Sequence, residues 1–550
     1  MHLQSLLMNK NNLIFGLIIL IAFFLRFWQL DQVPSGAHAD EADTAYSAYS
    51  ILKTGLTQYG TFNPLAFTEF NGGTHPPLYT YFLIPFVKFF GLNIFVERMP
   101  SAVFGTLTIP IFYFLLKKIL QSSAAALVGS FFLTVNPWFL HMSRQGLLES
   151  IAVFFVVLGI TLFVYAKEKK YLYILSFIAF GLSLHAYDAP KIFVPLFLIA
   201  LIIYQYKSII RIKKYFIATF VVFVIFYLLM LKTIFLDGQI NDYNKVSLFN
   251  TLSLENAVNY ERQYTRAPLW LSGIFHNKAT VLLKQLETSY FNIFSINWLF
   301  INGEGNLQQA VVRHGQFHLF ELPLFFVGAY ALFRKRRNTG LLLMIWLLLA
   351  PIPGALTQGN YPYRSVLLLP APIIFSSYGL VWLWSYLEKL KQKIIKRLIR
   401  IFIILLIIGY TSSFIFTYFF DYPVYASKWW FKERNEALNY AISLQDKYDR
   451  IFIDGDIEWA VMYAFNGKVS PHIFQNSYKN KSKYKNEDVI SIGKFTFGSF
   501  KSRQISSPSA YFPKNSIVLT DESNFSEEKG MKIFTAADPL DRVYKIFEIK

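Results

Sequence analysis

Apolar runs long enough to cross a bilayer recur along most of this 550-residue chain, with basic clusters between them. A crossing helix needs about 20 predominantly apolar residues. Read forward, the runs cover roughly 12–30, 99–117, 123–140, 147–166, 171–186, 190–206, 215–236, 319–333, 340–356, 365–386 and 401–419. That is about eleven helices by the length a crossing needs. Composition agrees: 54% of residues are apolar and 16% charged, with a mean hydropathy of +0.36. A soluble chain carries about 45–50% apolar and about 25% charged residues. The expected fold class is therefore a polytopic α-helical membrane protein.

The charges orient the bundle. Basic clusters fall at Lys117-Lys118, Lys167 to Lys170, Lys207 to Lys214, Arg334 to Arg337 and Lys389 to Arg400. Short loops rich in Lys and Arg stay on the cytoplasmic side, and two spans separate each cluster from the next. The N-terminus is then inside and the chain beyond residue 421 outside. The first run reads as a retained anchor, because the residues before it contain no clear small-residue cleavage site. Residues 77–91 are short and contain Pro85 and Lys88. If they crossed, every later loop would invert, so they are read as a helix at or dipping into the outer interface. The net charge of +19 comes largely from the cytoplasmic clusters. It points to anionic membrane lipids and needs no nucleic-acid partner. Cysteine is absent, which excludes disulfides and thiol chemistry.

Residues 1–420 are thus read as a transmembrane domain with large outer loops at 31–98 and 237–318. Residues 421–550 are polar and patterned like a small extracytoplasmic α/β domain. SKWWFKERNEALNYAISL reads as an amphipathic helix. RIFIDG (450–455), SIVLTD (516–521) and VYKIFEI (543–549) read as strands, and the lysine-rich 476–488 as a loop.

With this topology the unusual polar segments share the outer side. HADEAD holds Asp40 and Glu41, adjacent carboxylates that can supply a general base and a neighbour tuning it. Capping of a helix start by Asp40 or Asp43 accounts for them as readily. A metal site from His38, Asp40 and Glu41 lacks a convincing spacing. Asn71-Gly-Gly-Thr-His75-Pro-Pro offers His75 to a substrate oxygen or phosphate, or is simply a turn and helix start. Arg144 can clamp a phosphate in bidentate fashion or anchor a lipid headgroup; Glu149 lies five residues on. Tyr187 and Lys191 sit at an outer helix junction, where Lys191 either neutralises a phosphate or snorkels. Arg364 in TQGNYPYR is a further cation. Carboxylates at one place and cations at others suit transfer of a group off a lipid phosphate. A transporter or lipid flippase is the alternative from another class; its ionisable residues would lie nearer the bilayer midplane.

In this order the motifs HADEADTAYSA, THPPLYTYF, FGLNIFVERMPSAVFGTL, NPWFLHMSRQGLLES and PGALTQGNYPYRSVLLLPAPIIFSSYGL resemble the polyprenyl-phosphate-sugar glycosyltransferases of the C superfamily. Within it, the chain is similar to the protein O-mannosyltransferase and lipid A aminoarabinose transferase group over about residues 12–420. The resemblance implies a cavity at the outer face of a plasma-membrane enzyme and an inverting single displacement. Asp40 would be the base, Glu41 its companion, and Arg144 and Arg364 would face the lipid phosphate. His75 belongs to a matching motif. Many relatives carry an Asp in the second outer loop, where Glu149 is the closest acid here. The donor would be a polyprenyl-phosphate-linked sugar and the acceptor a glycan, lipid or protein. No cofactor follows with certainty, and a divalent metal is left open.

Overall fold

The computed structural model describes residues 2–70, 72–357, 362–484, 487–500, 511–521, 532–534 and 544–549. Asn71, residues 358–361 of TQGNYPYR and residues 485–486 of the lysine-rich stretch lie outside them.

A helix falls on each expected span, but not all reach full crossing length. Among the described residues six helical stretches are long and apolar enough to cross a membrane: Lys10–Phe27, Ile94–Leu120, Lys213–Phe235, Arg337–Ala355, Val366–Leu387 and Lys393–Tyr425. Others are shorter: Ser123–Val135, Glu149–Tyr165, Leu172–Leu184, Ala189–Tyr204 and Glu321–Lys335. At 1.5 Å per residue a helix of about 13 residues covers roughly 20 Å, less than a hydrocarbon core of about 30 Å. One cause is visible in the sequence. Asn136 and Pro137 interrupt the apolar run 123–140, Asn136 capping a new short helix, Pro137–Met142, by accepting from the Phe139 N–H at 2.9 Å. The run is one apolar stretch but two helices.

Contacts gather the basic turns at one end of the bundle. Lys118 pairs with Glu168, Arg336 Nη2 donates to Gln121 Oε1 at 2.9 Å, and Lys170 lies 5.2 Å from the Tyr215 ring. The polar motifs occupy the other end, where Ile94–Leu120 begins beside HADEAD. In the middle, Glu321–Lys335 and Pro370–Leu387 cross backbone to backbone. A Cβ on Gly328 would lie 1.8 Å from the Phe375 carbonyl oxygen, and one on Gly379 would lie 2.0 Å from that of Leu324. Only glycine allows that approach.

The segment 77–91 forms the helix Leu78–Phe90, with Phe89 and Phe90 exposed at its end. Among the described residues the polar tail is a seven-stranded sheet with helices packed on it. The strand order is 482–484, 487–492, 495–498, 450–454, 516–521, 544–549, 532–534. Arg450–Asp454 runs parallel to both of its neighbours, and the other pairs are antiparallel. All three strands expected from the sequence are present. The lysine-rich 476–488 differs from its expected loop: it ends the helix Pro471–Lys479, then pairs as Ser482–Tyr484 with Glu487–Ile492. Lysines suit such an edge, because they discourage further strand pairing.

Ile451, Phe452 and Ile453 are fully buried, as expected for a strand covered on both faces. On one face Ile451 and Ile453 join a core that includes Ala42, Ala45 and Tyr46 of the outer helix Ala39–Thr54. Polar bonds seal the same junction. Tyr46 Oη donates to the Val469 carbonyl at 2.9 Å, and Gln475 Nε2 donates to Ser50, Thr54 and the Thr57 carbonyl. The tail therefore presses on the helix that carries the acidic motif.

Candidate active site

Adjacent positions on a helix point about 100° apart, and this separates the two carboxylates. The helix Ala39–Thr54 opens with His38 as its cap, not Asp40 or Asp43. His38 Nδ1 accepts the Asp40 N–H at 3.2 Å, while Glu41 reaches back to the His38 N–H at 3.1 Å. Glu41 points inward and is fully buried. Its two oxygens take Arg98 Nε and Nη2, both at 2.8 Å, and one also takes the Gly146 N–H at 2.8 Å. Arg98 spends its remaining donors on the carbonyls of Leu30, Pro34 and Gly36. Glu41 thus ties the start of this helix to the helix Ile94–Leu120 and to the turn at Gly146, and neither oxygen is open to a substrate. It is also withdrawn from any ligand set with His38 and Asp40. Among the described residues no group of three His, Asp or Glu side chains is placed to hold a metal ion.

Asp40 points the other way, with 51% of its side-chain surface open. Its Oδ2 lies 3.3 Å from His38 Nδ1. That nitrogen cannot accept from the amide and donate to the carboxylate at once, so the protonated imidazole favours the carboxylate and the neutral one the cap. Packing around Asp40 raises its pKa; the charge and hydrogen bond of His38, joined by His75, outweigh it and hold the carboxyl below its ordinary value. For His38 burial acts downward, but Asp40 and then Glu41 and Glu458 keep it above the usual imidazole value. His38 stacks on Phe431 of the tail with ring centroids 4.7 Å apart.

His75 is buried at the end of the short β-hairpin pairing Phe67–Thr68 with Thr74–His75. Its Nδ1 lies 3.4 Å from Glu69 Oε1, and its buried Nε2 has no hydrogen-bond partner among the described residues. Burial lowers its pKa, but Glu69, then Asp43 and Asp40, raise it above the ordinary imidazole value. Asp43, one turn after Asp40, is buried and accepts from Gln58 Nε2 at 2.7 Å and Tyr59 Oη at 2.5 Å. Burial pushes its carboxyl up to about 7 against those two bonds.

The electrostatic contacts continue away from Asp40. Glu149, buried at the first turn of its helix, feels the charges of Asp40 and Asp188 and lies near the Tyr187 hydroxyl. Lys191 Nζ donates to Asp188 Oδ1 at 2.8 Å, Tyr243 Oη at 2.7 Å and Gln239 Oε1 at 3.3 Å. Arg364 acts on Tyr187 and Asp188 from the facing loop. Tyr187, Asp188, Lys191, Tyr243 and Arg364 line a cavity of about 330 Å³, whose remaining wall is mostly apolar, with Ile192, Ile234, Val246, Phe249, Pro353 and Leu356. Tyr187, Lys191 and Arg364 are thus brought together, with Glu149 near Tyr187. His75, Asp40 and Glu149 are linked to them by charge.

Arg144 is not among them. It is fully buried, and its Nη atoms donate to the carbonyls of Leu25, Trp28, Gln29 and Val33 at 2.6–3.0 Å. Its guanidinium also lies 4.9 Å from the Phe419 ring. Arg144 fastens the turn after the first helix, and the sequence reading of it as a phosphate clamp does not fit this placement. The residues missed in the sequence are Arg98, Tyr243 and Glu69; Asp43 is named there only as a possible cap. For Arg98 a signal existed: an arginine just inside an apolar span is costly and seldom idle. The others become visible only through contacts distant in sequence.

Residues 16–237 match the family dolichyl-phosphate-mannose-protein mannosyltransferase. Among curated proteins nothing matches. Among solved structures, ArnT from Cupriavidus metallidurans bound to undecaprenyl phosphate aligns with a TM-score of 0.53 at 11% identity, over 96% of this chain and 97% of that one. The chain shares the fold of that structure, and the family match falls on its N-terminal part. The Archaeoglobus fulgidus oligosaccharyltransferase AglB, in complex with an inhibitory peptide and a dolichol-phosphate, has a similar fold. It aligns with a TM-score of 0.53 at 15% identity, over 93% of this chain and 69% of that one. The matched family segment contains Asp40, His75, Glu149, Tyr187 and Lys191, and stops short of Arg364.

Proposed function

We propose that this glycosyltransferase moves a sugar from a polyprenyl-phosphate carrier to an acceptor hydroxyl at the extracytoplasmic face of the plasma membrane. It does so by a single inverting displacement with Asp40 as base. The observation that carries the reading is the division of charge. A half-open carboxylate with a lowered pKa stands at one end of a linked polar cluster. Lys191 and Arg364 stand at the other, in a cavity with an apolar wall.

The acceptor hydroxyl gives its proton to Asp40 while its oxygen attacks the anomeric carbon. The bond from that carbon to the phosphate oxygen breaks, and polyprenyl phosphate leaves. Lys191 and Arg364 stabilise the charge that grows on the phosphate, and the apolar wall takes the first prenyl units. A positioned base contributes about 10²–10⁴-fold. His75 Nε2, buried and unpartnered among the described residues, is available to a phosphate or sugar oxygen. Glu149 and Tyr187 orient the sugar between base and phosphate. Glu41 is assigned a positioning role, and Arg144 a place in the scaffold. Eleven crossings with the N-terminus inside give this arrangement its outer location. The donor resembles what ArnT and AglB hold in their complexes, a lipid phosphate. The acceptor, whether glycan, lipid or protein, is for experiment to identify. A transporter reading draws no support from the distinctive acid, which sits at the bundle end.

The test is release of free polyprenyl phosphate by purified protein given a panel of polyprenyl-phosphate sugars and a membrane extract as acceptor source. Release accompanied by sugar on an acceptor supports the proposal. Donor moved across the bilayer with its sugar still attached, and no release from any donor, contradicts it.

A further inference from the structure

Residues 251–292 form a helical hairpin rooted beside the donor cavity. Thr251–Gln263 and Lys278–Asn292 close on a small core of Leu254, Val258 and Val281. The hairpin satisfies much of its own charge. Lys278 pairs with Glu255 at 2.7 Å, Lys284 with Glu261 at 2.9 Å, and Arg262 Nε donates to the His276 carbonyl at 2.9 Å. Its tip is the opposite in character. The turn of helix Leu269–Phe275, sequence LWLSGIF, leaves Leu269 91%, Trp270 70% and Phe275 64% exposed, with Ile274 beside them. Tyr260 and Tyr264 extend the apolar surface along the first arm. So dense a group of large apolar side chains is rarely left in water.

The roots indicate what covers it. Phe249, just before the hairpin, lines the cavity, and the Leu248 N–H donates to the Leu356 carbonyl at 3.2 Å. On the return, Tyr290 Oη donates to the Leu348 carbonyl at 2.8 Å, and Leu348 belongs to the membrane-length stretch Arg337–Ala355. The other neighbouring span, Lys213–Phe235, ends in the exposed Phe235 and Leu236. The hairpin is therefore rooted on a membrane-length stretch, and Leu252, Leu283 and Phe291 leave further large apolar side chains exposed along its arms. Trp and Tyr are the side chains that membrane interfaces favour.

We propose that the tip of this hairpin inserts into the leaflet on the side of the candidate site. The occupant of its apolar surface is lipid. There it holds the cavity mouth at headgroup depth, where a lipid-linked substrate arrives. That last clause rests on the proposed donor; the insertion itself does not.

The chain has no cysteine, so single cysteines can be labelled cleanly. A nitroxide is placed at Trp270→Cys and, separately, Phe275→Cys in the full-length protein in lipid nanodiscs. Leu228→Cys, exposed on a crossing helix, and Asp446→Cys, exposed on the tail, are the references. Each labelled protein is used only if it keeps the wild-type elution volume. Collision with oxygen exceeding collision with a water-soluble nickel chelate at 270 and 275, as at 228, is the expected result. Nickel-dominated collision like that at 446 overturns the proposal. Weak collision with both reagents marks a protein contact and overturns it too. None of these outcomes depends on turnover, so a failed glycosyl-transfer assay and a failed insertion test remain distinct.

Discussion

Replacing Glu41 should unfold this protein before it disables it. Glu41 is buried, with two 2.8 Å bonds to Arg98 and two backbone amides on its remaining lone pairs. Glu41→Ala leaves the Arg98 guanidinium in the core without its counter-charge. Removing one partner of such a pair costs about 3–5 kcal/mol. The orphaned amides of His38 and Gly146 add about 1–3 kcal/mol each where water cannot reach them. These terms overlap, so a loss of about 5 kcal/mol is the working figure. That is of the order of a domain's whole net stability, about 5–15 kcal/mol. The assay is thermal unfolding of purified protein in one detergent, for Glu41→Ala, Arg98→Leu and the double variant Glu41→Leu/Arg98→Leu. The double variant should unfold at a higher temperature than either single one, because an apolar pair strands no charge. If Glu41→Ala unfolds at the wild-type temperature but has lost all turnover, Glu41 acts chemically and the structural reading is wrong.

Other consequences follow from the same geometry. Lys191→Ala should lower kcat/KM for a lipid-linked donor about tenfold or more, the scale of one lost charge-assisted bond of about 1.5–3 kcal/mol, with the loss appearing in kcat because the phosphate charge grows in the transition state; steady-state kinetics checks this. Asp43, raised to about 7, and His38 and His75, raised by neighbouring acids, all bind protons more readily in the folded protein. The contribution of Asp43 to stability should therefore be lost as pH rises from about 4 through 7, and that of the two histidines above the ordinary imidazole value; thermal unfolding should show Asp43→Asn gaining relative to wild type as pH rises through the first window. Gly379→Ala, whose Cβ would meet the Leu324 carbonyl at 2.0 Å, should lower the unfolding temperature, whereas Gly409→Ala, with nothing within 4 Å, should not.

Much of the membrane part is legible because an apolar run needs only its own length to be recognised. The helix breaks inside those runs are partly visible too, as Asn136-Pro137 shows. Asp40 and Glu41 are harder. The sequence presents them as a pair, and only the placement of Arg98, 57 residues away, decides which one faces the core. Arg144 and Lys191 pose the same problem. Both are lone cations near helix ends. Backbone carbonyls after the first helix capture one, while Asp188 and Tyr243 hold the other at a cavity. The tail's strands show in their apolar runs, but the hairpin after Pro471–Lys479 does not, because an exposed edge strand carries the same lysines as a loop.

The measurement that bears most directly on the central claim compares Asp40→Asn with wild type for both donor binding and sugar transfer. The side chain is half exposed, with His38 Nδ1 3.3 Å away, and Asn keeps its size and shape, so the substitution should leave folding and donor binding intact. Transfer should fall by about 10²–10⁴-fold, the contribution of a positioned base. Transfer within a few-fold of wild type, with the donor still bound, would contradict the assignment of Asp40 as the base.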